Sequence, residues 1–300
     1  GGSPRYAVLM LDNASAETRR IERIMAPGLS SGGYGAYIKR VGGSVGVDVN
    51  SGFVFDPASS LKVVYEVYAM QKDHANLDTM NAFSYWVKPG DTSNKDVCPD
   101  PAWETSANLV QTTIRDGATR MMQVSDNRTT RGFEKRYGMA TINTFMDNIG
   151  MASSQFRQMI GCGYNNGLKN DVTLADLGRV YEGVADGTLL TGAPRTDFYN
   201  FLLGGPISSS SALADVVREE ATALGKSASV ASDFIAQMSA RSKGGSYDIC
   251  TASMCAAYTY TRSVGGRLVL PYMVRGVVTP TEFVYGRFAS DVNIPCTPKA

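Results

Sequence analysis

The segment Phe55-Asp56-Pro57-Ala58-Ser59-Ser60-Leu61-Lys62 opens a strongly apolar helical pattern. Apolar side chains then recur on almost every side, which predicts a buried helix over residues 60–72. Side chains three residues apart on a helix lie on one face, about 5–6 Å apart, so Ser59 and Lys62 are expected to be neighbours. A lysine amine kept neutral by burial or nearby charge can remove a serine proton. The same spacing also fits a capping serine beside a solvated lysine, and the rest of the chain decides between these interpretations.

The composition is that of an ordinary globular chain. It has 300 residues, of which 43% are hydrophobic and 19% are charged, and a formal net charge of +1. This length suits one large domain or two lobes. The charge gives no electrostatic basis for binding nucleic acid or an anionic membrane, and no apolar run reaches the roughly 20 residues of a membrane span. We therefore expect neither a nucleic-acid partner nor a membrane span.

The predicted elements follow an α+β order. Strands are predicted at 36–41 and 44–49 and, near the end of the chain, at 247–250, 257–261 and 267–274, with a turn at Gly265-Gly266. Helices are predicted at 18–25, 60–72, 107–124, 140–151, 173–184, 197–203, 211–224 and 280–290, with Thr173 as a cap.

This order fits a three-layer α/β architecture. An antiparallel sheet is built from both ends of the chain and flanked by N- and C-terminal helices, and an all-helical lobe is inserted between its strands. We expect residues 1–58 and 226–300 to form the sheet lobe and residues 59–225 the helical lobe. The active site is expected in the cleft between the two lobes.

Cysteine and histidine content limits the chemistry. The chain has five cysteines, Cys98, Cys162, Cys250, Cys255 and Cys296, and one histidine, His74. Five is odd, so at least one thiol is free or pairs with another chain. A disulfide between Cys250 and Cys255 is sterically plausible but closes a short loop, and both residues also fit as small buried apolar side chains. One histidine argues against most metal sites, and no metal or other cofactor is expected.

Two further motifs give the Ser59–Lys62 pair its context. Ser125-Asp126-Asn127 follows the predicted helix at 107–124, and Lys243-Gly244-Gly245-Ser246 starts the first C-terminal strand. Alone, either motif is more often a turn or a loop. In the order Ser-x-x-Lys, Ser-Asp-Asn, Lys-x-Gly, however, they resemble the motifs of the penicillin-recognising serine hydrolases. These are the serine β-lactamases, of which class A is the most similar, the DD-peptidases and the penicillin-binding proteins. The stretch at 141–157, TINTFMDNIGMASSQFR, is similar to the helix and turn that lead into the class A omega loop.

The resemblance implies four catalytic residues. Ser59 would be the nucleophile and Lys62 its base, and Ser125 would relay the proton to the leaving nitrogen. Lys243 would lower nearby pKa values and attract a substrate carboxylate. Such a scheme needs no histidine, which agrees with the composition.

The resemblance also implies a substrate-binding set. Asn127 would bind the side-chain amide of the substrate, and Gly245 and Ser246 would line the strand edge beside it. The backbone N–H groups of Ser59 and Ser246 would form the oxyanion hole. Trp103 is either an aromatic wall of the cleft or a surface anchor that packs its own loop.

Three features depart from the class A pattern. The region matching the omega loop, residues 157–171 with sequence RQMIGCGYNNGLKND, contains no glutamate, and its nearest acids are Asp147, Asp171 and Asp176. Without a positioned base an acyl-enzyme is expected to hydrolyse slowly, since general-base help contributes about 10²–10⁴-fold.

The other two departures concern the substrate. Gly244 stands where the family usually has Thr or Ser, which removes one hydrogen bond to a substrate carboxylate, and Arg241 and Arg262 are candidates to compensate. The segment between Cys250 and Cys255 lengthens the strand edge along which substrate would lie. An atypical substrate is therefore expected.

Three functions are consistent with these residues. The first is a β-lactamase-like serine hydrolase with slow or atypical deacylation. The second is a D-alanyl-D-alanine carboxypeptidase or esterase of the same fold, and the third is a non-catalytic protein that binds β-lactams or cell-wall fragments. The expected partner is a small-molecule β-lactam or a D-Ala-D-Ala peptide. The resemblance further implies a monomer that is secreted or periplasmic in a bacterium, its signal peptide removed.

Overall fold

The computed structural model describes residues 33–92, 98–162, 169–249 and 257–295. Its strands are β1 (Gly33–Arg40), β2 (Val45–Val49), β3 (Phe83–Trp86), β4 (Leu109–Thr112), β5 (Leu203–Pro206), β6 (Ser239–Ile249), β7 (Ala257–Val274) and β8 (Val277–Pro295). Its α-helices are α1 (Lys62–Asp73), α2 (Ile114–Gln123), α3 (Asn127–Tyr137), α4 (Met139–Asn148), α5 (Leu174–Ala185), α6 (Gly192–Phe201), α7 (Ala212–Ala223) and α8 (Ala228–Ala236). A short 3-10 helix, Ala58–Leu61, leads into α1.

A six-stranded antiparallel sheet forms one layer. Its strand order is β2-β1-β8-β7-β6-β5, so strands from the two ends of the chain lie side by side at β1 and β8. This confirms the predicted α+β architecture with a sheet built from both ends. β5 at the sheet edge comes from residues 203–206, inside the range expected to form the helical lobe.

The second part of the molecule is mainly helical and also contains the two-stranded sheet β3–β4. Helix α1 packs against α2, α3, α4, α5 and α6. Its interior positions are fully buried, as the apolar pattern at 60–72 predicts. Helix α5 begins at its predicted cap, where the Thr173 side chain accepts a hydrogen bond from the backbone N–H of Asp176. Among the described residues no helix is both long enough and apolar enough to cross a membrane.

Three predictions about helices and strand starts are wrong. Residues 280–290 belong to strand β8 and not to a closing helix, so within the described residues the chain has no C-terminal helix. Residues 107–124 do not form one helix, because β4 occupies their first part and α2 starts only at Ile114. Lys243 lies well inside β6, which begins at Ser239, and not at the start of a strand at 247.

Gly265 and Gly266 lie within one continuous strand, β7, and do not form the predicted turn. Gly265 pairs with Gly286 of β8, and side chains of α5 occupy the space that β-carbons would need there. A β-carbon on residue 265 would lie 3.0 Å from the Tyr181 ring, and one on residue 286 would lie 3.0 Å from Leu174. These glycines therefore let a helix pack directly onto the sheet.

The disulfide in the described residues joins Cys98 to Cys162, across 64 residues of chain. Nothing in the sequence distinguished this pairing from the other possible cysteine pairs. Cys250, Cys255, Cys296 and the predicted helix at 18–25 lie outside the described residues. The disulfide links the loop before β4 to the segment that resembles an omega loop.

Candidate active site

Ser59 lies in the 3-10 helix at the buried junction of the sheet and α1. The residue before it, Ala58, has φ of 48°, a left-handed conformation that costs a residue with a β-carbon on the order of 1–3 kcal/mol. The Ala58 backbone N–H donates to Asp56 Oδ1 at 3.0 Å, and the Ser60 N–H donates to the Pro57 carbonyl at 3.1 Å. These bonds hold the strained turn and present Ser59, which is half-buried, towards the cleft.

A buried serine pair fastens this turn to the sheet. The hydroxyl of Ser263 on β7 donates to the Pro57 carbonyl at 2.8 Å and lies 2.8 Å from Ser60 Oγ. Ser263 is the cross-strand partner of Gly245. Sequence reasoning did not single out Ser60 or Ser263, because neither belongs to a motif.

Gly245 contacts the main chain at Ser59. A β-carbon on residue 245 would lie 2.5 Å from the backbone nitrogen of Ser59 and 2.5 Å from the Pro57 carbonyl oxygen, which is closer than real β-carbons approach. Strand β6 therefore lies directly against the turn only because residue 245 is glycine. Ser246, the next residue, is exposed at the same strand edge.

Lys62 is completely buried, and its amine reaches the Ser125 loop. Its Nζ lies 2.8 Å from the Ser125 carbonyl oxygen, 2.6 Å from Asn127 Oδ1 and 3.1 Å from Ser125 Oγ. Two of these atoms only accept hydrogen bonds, whereas a hydroxyl can also donate. The Lys62 amine can thus donate to all three atoms, which anchors it to the Ser125 loop.

The Ser125 loop is itself a strained turn held by a buried aspartate. Ser125 has φ of 58°, and Asp126, which is 1% exposed, caps α3 by accepting from the Arg128 N–H at 2.9 Å. The Arg128 side chain also binds the Asp126 carboxylate, with Nη2 at 2.8 Å from Oδ2. This turn points Ser125 and Asn127 at Lys62.

Lys243 approaches the same hydroxyl from the sheet. Its Nζ lies 3.0 Å from Ser125 Oγ and donates to the Gly244 carbonyl at 2.7 Å. Ser125 Oγ thus stands between two lysine amines, and a hydrogen-bonded path runs from Lys243 through Ser125 to Lys62. The structure brings together Ser59, Lys62, Ser125, Asn127, Lys243, Gly245 and Ser246.

The two lysines have lowered pKa values for related reasons. Burial lowers the pKa of Lys62 well below its usual value, and the charge of Lys243 lowers it further, while Asp126 acts in the opposite direction. Burial also lowers the pKa of Lys243, to about 8, although Glu66 opposes this shift. Lys62 therefore holds its proton less tightly than an ordinary lysine, whereas Lys243, with a pKa of about 8, is mostly charged at neutral pH.

The segment that resembles an omega loop closes on the Ser59 turn. Phe55 pairs with Val172 through two backbone hydrogen bonds of 3.0 Å, and Arg157 forms an ion pair with Asp171 at 2.6 Å. The Cys98–Cys162 disulfide ties the middle of this segment to the loop before β4. Residues 163–168, in the middle of this segment, lie outside the described residues.

Trp103 and two arginines complete the predicted residues. Trp103 is 7% exposed, its ring lies 5.7 Å from the Arg131 guanidinium, and Glu104 beside it forms an ion pair with Arg131. These contacts favour the interpretation that Trp103 packs its own loop. Arg241 Nη1 donates to the Tyr199 carbonyl at 2.9 Å, while Arg262 is exposed on β7 opposite Ser246.

Solved structures share this architecture. A β-lactamase from Chitinophaga pinensis superposes with a TM-score of 0.60 at 14% identity, covering 92% of this chain and 91% of the other. A class A β-lactamase representative from Bacteroides cellulosilyticus gives 0.60 at 14% identity over 92% and 90% of the two chains. PBP-A gives 0.58 at 13% identity over 93% and 88%. The fold is that of the penicillin-recognising serine hydrolases.

The sequence itself places the chain within that class. Residues 17–234 match the beta-lactamase enzyme family, and the protein belongs to this family. No curated protein matches the chain in sequence.

Proposed function

We propose that this protein is a serine hydrolase that β-lactams acylate at Ser59, and that its acyl-enzyme hydrolyses slowly. The observation that carries the proposal is the convergence of Lys62 and Lys243 on Ser125 Oγ, at 3.1 Å and 3.0 Å. A nucleophile one helical turn from a buried neutral amine, with a second hydroxyl shared by two amines, provides a base and a proton relay.

The acylation step follows from these contacts. Neutral Lys62 accepts the Ser59 proton as Ser59 Oγ bonds to the lactam carbonyl carbon. The oxyanion that develops faces the backbone N–H groups of Ser59 and Ser246, and Gly245 lets the two segments lie close enough for both to serve. The C–N bond then breaks, and the nitrogen takes the Ser125 proton, which Lys62 replaces. Asn127 and Lys243 bind the amide and carboxylate of the substrate.

Slow deacylation is supported by the acids near the omega-like segment. That segment has no glutamate, and its aspartate, Asp171, is engaged by Arg157. Asp176 accepts from the Ser153 N–H at 3.0 Å and the Ser154 hydroxyl at 2.7 Å. Each of these carboxylates has a structural partner, which makes either a poor base for water.

A D-alanyl-D-alanine carboxypeptidase or esterase is the second candidate. The missing glutamate favours it, and one of the similar structures, a PBP-A variant, was solved as an acyl-enzyme complex with penicillin G.

The Cys98–Cys162 disulfide supports export to an oxidising compartment, as a secreted or periplasmic enzyme requires.

Intact-mass spectrometry with penicillin G tests the proposal. Wild type is expected to gain one penicillin mass, and Ser59→Ala none. Ser232→Ala, the same substitution at an exposed position of α8, is the matched control and should still be acylated; thermal unfolding checks that both variants fold. Nitrocefin turnover against hydrolysis of a D-Ala-D-Ala peptide then separates the two candidates. An adduct that persists on Ser59→Ala, or none on folded wild type, contradicts the proposal.

A further inference from the structure

A second carboxyl group lies behind the candidate active site. Glu66 follows Lys62 by four residues on α1, so the two side chains share one face of the helix. Glu66 is 0% exposed, and neither of its carboxyl oxygens has a hydrogen-bond partner within the described part of the chain. Fewer than one in ten buried polar groups is left in this state, which calls for an explanation beyond packing.

Tyr181 from α5 reaches the same interior region. Its ring lies against Gly265, the cross-strand partner of Lys243, and its hydroxyl is buried beside the Lys243 backbone. The charge of Glu66 acts on both Tyr181 and Lys243. Tyr181 thus packs on β7 next to Lys243, and Glu66 lies close enough to both residues for its charge to act on them.

We propose that Glu66 is a positioning residue that acts through Lys243: its carboxyl group is the buried counter-charge that keeps the Lys243 ammonium available for the carboxylate of an anionic substrate. This inference rests on the proposed function, because it assigns a role within the same acylation reaction. A carboxylate at this point also explains how two amines can converge on Ser125 Oγ while one stays charged.

The electrostatics agree with this geometry. Burial raises the pKa of Glu66, which Lys243 opposes, and burial lowers the pKa of Lys243, which Glu66 opposes. The two groups are thereby moved towards one pH range, where they titrate as a coupled pair. The other titratable groups that face this cluster are Lys62 with its neighbour Asp126, Tyr181, and behind Tyr181 the hydroxyls of Tyr199 and Tyr285.

Glu66→Gln tests the role, because it keeps the shape and removes the charge. Without the carboxylate the pKa of Lys243 falls below about 8, so the alkaline limb of penicillin acylation moves to lower pH. A shift of about one pH unit raises the half-saturating penicillin concentration about fivefold at the wild-type midpoint. The limiting rate of acylation at saturating penicillin is the same as in wild type, and so is the rate of acylation by a neutral ester that has no carboxylate. Tyr181→Phe, which changes no charge, leaves the limb in place.

Two outcomes overturn the inference. The first is an alkaline limb of penicillin acylation that lies at the same pH in Glu66→Gln as in wild type. The second is a loss of acylation by the neutral ester as large as the loss with penicillin, which would indicate a purely structural role. Thermal unfolding checks that the variant folds, and the loss of the counter-charge to the buried Lys243 ammonium predicts a lower Tm for it.

A measurement on the unliganded protein separates this inference from the proposed function. The carboxyl ¹³C resonance of Glu66 is titrated in wild type and in Lys243→Met. Coupling predicts a higher Glu66 pKa once the lysine charge is gone, and an unchanged titration refutes the inference. If wild type shows this coupling yet is never acylated, the proposed function alone fails.

Discussion

The main chains of Gly245 and Ser59 are in direct contact. A β-carbon on residue 245 would lie only 2.5 Å from the Ser59 backbone nitrogen. That nitrogen is a proposed oxyanion donor, and Ser246, the other proposed donor, is the next residue of the same strand. Strand β6 can thus lie this close to the 3-10 helix because residue 245 has no side chain. This contact makes glycine at 245 a requirement of the proposed acylation site.

Gly245→Ala is expected to lower the acylation rate about 10²–10³-fold, the usual effect of losing one oxyanion donor. The added methyl group displaces β6 from the Ser59 turn. Stopped-flow acylation by a fluorescent penicillin measures this, with circular dichroism to check the fold. Gly244→Ala is the matched control, since its nearest neighbour would be the Ser263 carbonyl oxygen at an ordinary 3.5 Å. Equal rates for the two variants would contradict the argument.

Lys62→Arg is expected to slow acylation about 10²–10⁴-fold, because arginine stays protonated and cannot act as the base. In wild type the pKa of Lys62 is well below its usual value, so acylation should fall only as the pH drops through that lowered pKa. The pH dependence of the acylation rate measures this. Lys72→Arg, in the last turn of the same helix, should leave both rate and profile unchanged. An active Lys62→Arg variant would rule out Lys62 as the base.

Breaking the Cys98–Cys162 disulfide is expected to lower the free energy of unfolding by about 2–4 kcal/mol. The bond closes a loop of 64 residues and so restricts the unfolded chain. Urea unfolding of wild type and Cys98→Ser, each with and without a reductant, measures the effect. The reductant should destabilise wild type to the level of the variant and leave the variant as it is. A reductant effect of equal size on the variant would assign the stabilisation to another bond.

Glu134 should make stability depend on pH. Burial raises its pKa to about 7, whereas Tyr65 and Arg131 act in the opposite direction. The folded protein then holds a proton that the unfolded chain has released, so the stabilisation is complete below the usual pKa of about 4.5 and is lost as pH rises towards 7. The loss is on the order of 3 kcal/mol.

Glu134→Gln is expected to remove this decline, since the amide keeps the shape of the protonated acid and does not titrate. Urea unfolding from acid to neutral pH compares it with wild type. Glu219→Gln, on exposed α7, is the control and should keep the wild-type slope. A Glu134→Gln slope equal to that of wild type would show that another group titrates.

The sequence by itself determined the three motifs and their order, the sheet built from both chain ends, and local features such as the Thr173 cap. These follow from short-range chemistry, because a cap or a buried helix is specified by residues within a few positions of one another. The candidate catalytic residues could be named from the sequence for the same reason. Ser59, Lys62, Ser125 and Lys243 belong to motifs that can be read locally.

Only the tertiary structure decided what depends on distant partners. Residues 280–290 form part of a central strand because they pair with β1 on one side and β7 on the other. Gly265 lies within a strand because side chains of α5 occupy the space that a β-carbon would need there. The pairing of Cys98 with Cys162 and the burial of Glu66 behind Lys243 likewise join segments far apart in the chain. Such contacts form when the chain folds and leave no local pattern, whereas the pKa values and strained turns at the candidate site depend on them.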